Sequence, residues 1–109
     1  SIDRTVFEHW KNYDISRVLQ TRWDELGPKL AGKLHIFVGS EDTFRLEGAV
    51  KLLETELSKL GSDASIVVVD GRSHFNLSEP DPEHYPDGLK KRVADEMWAT
   101  WQAGQAQVP

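Results

Sequence analysis

GKLHIFVGSEDTF, Gly32 to Phe44, decides the fold of this chain. Leu34, Ile36, Phe37 and Val38 form a short apolar run interrupted only by His35. The run breaks at Gly39-Ser40 and is followed by two carboxylates, Glu41 and Asp42. An apolar run of this length, closed by Gly and followed by an amphipathic helix, reads as a buried parallel strand over 33–39. In open α/β sheets chemistry collects beyond the carboxyl ends of the strands, where Glu41 and Asp42 stand.

Downstream, Thr43 to Leu60 carries one apolar stripe at helical spacing: Leu46, Val50, Leu53, Leu57 and Leu60. Glu47 and Lys51, four apart, are in the order that suits a surface ion pair. Gly61 is placed to stop the helix. Residues 65–70, SIVVVD, are β-branched through their centre and read as a second buried strand. Strand, helix and strand make one βαβ unit, with the two strands parallel in one sheet and the crossover right-handed.

Upstream, Val6, Phe7, Trp10 and Tyr13 crowd the first thirteen positions, which suggests that this stretch packs against something. Asp14 or Ser16 caps a helix expected over 15–26, with Ile15, Val18, Leu19, Trp23 and Leu26 on its apolar face. Gly27-Pro28 is read as its end. Residues 75–88 hold three of the five prolines and read as an irregular loop. A last helix is expected from about Asp87 to Gln102, and residues 103–109 read as a flexible tail.

At 109 residues the chain is at most one ordinary domain. A net charge of −5, with Lys90-Lys91-Arg92 as the sole basic cluster, argues against a nucleic-acid surface. The absence of Cys excludes thiolate metal sites and leaves the redox compartment unread. No apolar run approaches the ~20 residues of a membrane span. No targeting signal is visible, which weakly favours the cytoplasm. A parallel sheet normally has more than two strands, so either two chains combine or further strands belong to polypeptide outside this sequence. The start at Ser1 rather than Met favours the second expectation, a single partial domain spanning 1–109.

Asp42 follows the first strand and His74 follows the second, 32 residues later. A βαβ unit puts both at the same sheet edge, on neighbouring loops. A carboxylate beside an imidazole fixes its tautomer and stabilises the imidazolium formed when it accepts a proton. Glu41 is the alternate acid. Asp42 also suits a helix cap, and His74 a turn residue bonded to backbone. His35 reads as packed or solvent-facing, His9 and His84 as surface residues. A metal site built from Asp42, Asp70, His74 and His84 matches no ligand signature, and no cofactor is implied.

GKLHIFVGSEDTF, the following RLEGAVKLLETEL, and VVVDGRSHFNL resemble the C-terminal part of α/β-hydrolase-fold esterases. The resemblance covers about residues 10–78, including the helix ahead of the first strand. It implies that Asp42 is the acid and His74 the base of a Ser-His-Asp triad acting on an acyl ester or related small molecule. Such enzymes place the nucleophile in a G-x-S-x-G elbow on an earlier strand. The nearest string here, Gly71-Arg72-Ser73-His74-Phe75, lacks the final Gly and follows the wrong strand. The resemblance therefore implies a nucleophile outside this chain and no activity of the chain alone. The alternative is a non-catalytic α/β interaction module that self-associates through its exposed sheet edge.

Overall fold

Alternation of side chains along a strand explains how the sheet is sandwiched. The structure, a computed structural model, describes residues 1–106. In chain order the elements are helix α1 (Arg4–Trp10), a 3₁₀ turn (Lys11–Tyr13), α2 (Ile15–Leu30), strand β1 (His35–Gly39), α3 (Leu46–Lys59), β2 (Ser65–Val69) and α4 (Leu89–Ala106). β1 and β2 pair in parallel, from His35 opposite Ser65 to Gly39 opposite Val69. This is the expected βαβ unit, and among the described residues the sheet has two strands.

Successive residues of β1 point to opposite faces. His35 and Phe37 face α4 and the 75–88 loop: His35 Nδ1 is 2.8 Å from Glu96 Oε2, and the Arg92 guanidinium lies 5.0 Å over the Phe37 ring. Tyr85 meets Phe37 edge-on at 6.2 Å. Ile36 and Val38 fall on the opposite face, where α3 packs on β1 and α2 packs on α3. The buried apolar residues are few: Leu19, Val38, Leu57, Val69 and Tyr85.

Local chemistry accounts for two of the helix ends. Asp14 caps α2 by accepting the Arg17 N–H. α3 ends in a Schellman motif: Gly61, at φ +73°, donates to Ser58 O, and Ser62 donates to Leu57 O. Three expectations are corrected. Gly27-Pro28 does not end α2, which runs on to Leu30 with a break in helical geometry at Arg22. Gly27 instead leaves room for the Trp23 indole one turn back, since a Cβ there would meet that ring at 2.9 Å. α3 begins at Leu46 rather than Thr43, because residues 43–45 form a turn with Arg45 in the left-handed region at φ 61°. α4 passes Gln102 and Gly104 to Ala106, so the expected tail is helical to that point. Residues 107–109 of that tail lie outside the described residues. His9, read as a surface residue, is exposed on α1 beside Trp10 and Tyr13.

The molecule is flat, 49 × 45 × 21 Å. Its radius of gyration is 16.6 Å, against roughly 13 Å for a compact chain of this length. Its accessible surface is 8095 Å², against roughly 6,100 Å² from the scaling of compact monomers. Part of the excess sits on the flanks. α1, the 3₁₀ turn and α4 bury no residue, and Phe7, Trp10, Tyr13, Met97, Trp98 and Trp101 are exposed. No described helix is long and apolar enough to cross a membrane.

Candidate functional site

The two strand tips are joined by backbone before any functional side chain is placed. Ser40 N–H donates to Val69 O, and Glu41 N–H donates to Arg72 O at 3.0 Å. The Ser40 hydroxyl accepts from Gly71 N–H at 2.8 Å and donates to Asp70 Oδ1 at 3.2 Å. Gly39 makes this closeness available. A Cβ at that position would fall 1.9 Å from Arg72 O, so the second loop can cross the first only over a residue without a side chain.

Asp42 is the buried charged residue of this rim, with its side chain 1% exposed. Oδ1 accepts the N–H groups of Phe44, at 2.8 Å, and Leu46, at 3.3 Å. Oδ2 lies 3.1 Å from His74 Nδ1. The residue therefore combines two roles that the sequence left as alternatives: one oxygen closes the turn into α3, and the other meets the imidazole. Burial acts to raise the Asp42 carboxyl, but the Phe44 N–H, His74 and the Leu46 N–H together hold it below the usual aspartate range. An ionised carboxylate can only accept, so His74 carries its proton on Nδ1 and, when neutral, presents an unprotonated Nε2. Nε2 has no hydrogen-bond partner among the described residues, and the His74 side chain is 46% exposed.

Neighbouring groups hold the imidazole loop in place. Asn76 Oδ1 accepts from both Ser73 N–H, at 2.8 Å, and Ser73 Oγ, at 3.1 Å. Arg72 reaches past this turn to donate to Asn76 O and Pro80 O, at 3.0 and 2.7 Å, with Asp81 and Glu79 beside it. Arg72 and Asn76 belong to no motif in the sequence. Their only signal was position, two residues either side of His74 (a weak cue for side chains that bond to backbone carbonyls and a turn). Phe44 and Phe75 flank the His74 ring edge-on at centroid separations of 4.9 and 5.7 Å.

The remaining candidates lie apart from this pair. Glu41 is exposed, and its carboxylate has no partner among the described residues. Asp70 is bonded to Ser40, and His84 pairs with Asp81 at 2.9 Å. The four residues weighed for a metal site are thus divided among three local pairings, and among the described residues no group of three His, Asp or Glu could hold an ion. Glu47 and Lys51 form no ion pair; Glu47 Oε2 is enclosed without a hydrogen-bond partner. No hydroxyl of the described residues bonds to His74. Comparison with family models, with curated proteins and with solved structures found no match for this chain.

Proposed function

We propose that this chain carries the acid and base of a serine-hydrolase site in an α/β-hydrolase-type sheet, with the nucleophile supplied by polypeptide outside residues 1–109. The single observation that supports the reading is the 3.1 Å contact between a buried Asp42 carboxylate and His74 Nδ1, which leaves Nε2 facing outward. In the reaction the hydroxyl of the nucleophile attacks an ester carbonyl while its proton passes to His74 Nε2. His74 then returns that proton to the departing alkoxide, and Asp42 orients the ring and stabilises the imidazolium between the two steps. The two-strand sheet and the excess exposed surface favour further strands over a chain that works alone.

Isolated chain is expected to hydrolyse p-nitrophenyl acetate no faster than free imidazole. In an assembly that supplies the nucleophile, His74→Ala is expected to lower kcat by about 10⁴-fold or more. Turnover by the isolated chain, or an assembly indifferent to His74→Ala, would sink the proposal.

A second reading has its own observation. The exposed aromatics of α1 and α4 suit an interaction module that associates with itself, since aromatics are enriched at interfaces. Sedimentation at micromolar concentration separates the two: a module of that kind runs as a dimer with no catalytic partner present.

A further inference from the structure

The geometry points to Phe44 and Phe75 as an apolar wall of the substrate site, selecting esters whose group beside the scissile bond is aliphatic or aromatic rather than polar. This inference rests on the acid–base reading of Asp42 and His74 and adds the class of substrate.

Three observations carry it. First, the two rings are 58% and 75% exposed, so they contribute little to the core and leave apolar surface in water. Second, they lie against the imidazole and against each other, at 4.9, 5.7 and 5.9 Å, and so form one patch around the base rather than scattered exposed residues. Third, the chain holds Phe44 there at a conformational cost. Arg45 is the one non-glycine residue at positive φ among those described, and it separates Phe44 from the start of α3. A helix beginning directly after Asp42 would need no such residue. The left-handed step, with the Phe44 N–H bonded to Asp42 Oδ1, keeps the ring over His74 instead of on the helix. Strain next to a catalytic-type pair is where a positioning role is expected.

Group by group, ligand pockets combine an apolar lining with a few convergent polar atoms. Here the wall is the Phe pair and the polar atom is His74 Nε2. A substrate with an apolar acyl or alkoxy group would cover both rings while its ester oxygen reaches the imidazole. A polyol or sugar ester would leave hydroxyls against two phenyl faces without partners.

The test uses the 109-residue chain and two neutral probes, benzyl alcohol and glycerol, with NMR of the His74, Phe44 and Phe75 ring signals. Benzyl alcohol is expected to shift all three sets together and to bind about tenfold or more tighter than glycerol. Phe44→Ala and Phe75→Ala should each weaken benzyl alcohol by about tenfold and leave glycerol unchanged. Phe75 is the safer variant, because so exposed a ring contributes least to folding. Equal response to both probes overturns the inference, as does benzyl alcohol binding that survives Phe75→Ala. Loss of the response when the chain self-associates assigns the rings to an interface and also overturns it. The unliganded spectrum keeps the two ideas apart. A His74 ring without a proton on Nδ1 removes the acid–base pair itself, whereas an intact Nδ1–H with no discrimination between probes removes the apolar wall alone.

Discussion

The rim at the strand tips and the helical flanks of this molecule are built by opposite rules. At the rim, five polar side chains are bonded into one network of short loops. Ser40, Asp42, Arg72, Ser73 and Asn76 each bond across or within two short loops, and Gly39 lets their backbones touch. On the flanks, α1 and α4 are ordered by local forces: Asp3 caps α1, Glu8 pairs with Lys11, and Lys91 pairs with Asp95. Their large apolar side chains, Phe7, Trp10, Met97, Trp98 and Trp101 among them, stay more than half exposed. The Glu8–Lys11 and Lys91–Asp95 pairs are surface pairs, worth little to stability, and α4 is held to the sheet by His35–Glu96, Thr100 to Gly32 O, and Arg92 over Phe37. Position is specified at the strand tips, where two loops must agree, while the flanks leave apolar side chains in solvent.

The rim should be far more sensitive to substitution than the flanks. Gly39→Ala forces a methyl into the Arg72 carbonyl and should cost about 3 kcal/mol in urea unfolding, at the upper end of overpacking effects. It should also separate His74 from Asp42, seen as loss of the Nδ1–H signal. A cost no greater than that of a surface change would show that the rim is not the tightly specified region.

Asp42→Asn comes next, with an effect between those of Gly39→Ala and the flank variants. It keeps an oxygen for the Phe44 and Leu46 N–H groups but turns an amide toward His74. The pH dependence has a definite sign. The Asp42 carboxyl is depressed in the folded state, so its contribution is fully present above the ordinary aspartate value near 3.9 and is lost as pH falls through the lower folded value. Asp81, held down by the His84 side chain and N–H, behaves the same way. Unfolding midpoints below pH 4 should therefore fall less steeply in Asp42→Asn than in the parent chain, with the Asp81 share remaining. An unchanged slope would mean that Asp42 makes no bonds in the folded state that it lacks in the unfolded one.

The smallest effect is expected on the flanks. Trp10→Ser and Trp101→Ser should each change stability by less than about 0.5 kcal/mol, because neither ring is buried. Both should reduce binding of a hydrophobic dye. A loss above 1 kcal/mol from either would place these rings in the core and erase the contrast with the rim.

How much of this was legible in the sequence follows the same division. The strand pair, α3 with its Gly61 stop, and the meeting of Asp42 with His74 were readable because each depends on local pattern plus one topological rule. Gly27-Pro28 carries helix-ending chemistry, yet α2 continues to Leu30, with the Trp23 indole in the space beside Gly27. Arg45 was invisible because its left-handed backbone is set by what Asp42 and Phe44 do on either side, and Arg has no preference for it. Arg72 was missed because a long side chain reveals its partners, Asn76 O and Pro80 O, only after the loop has closed. The length of α4 exceeded expectation because Gly104 weakens a helix by only about 1 kcal/mol and does not end it.

The crossing of Arg72 over Gly39 also bears on how this chain can change length. Each added residue lengthens an extended chain by up to about 3.5 Å, more than the 3.1 Å that separates His74 Nδ1 from Asp42 Oδ2. An insertion between Val69 and His74 would thus carry the imidazole out of reach, while the contact at Gly39 leaves no slack to absorb it. Insertions and deletions should be refused in the four residues from Asp70 to Ser73, a spacer whose length is as constrained as the identity of the pair it aligns.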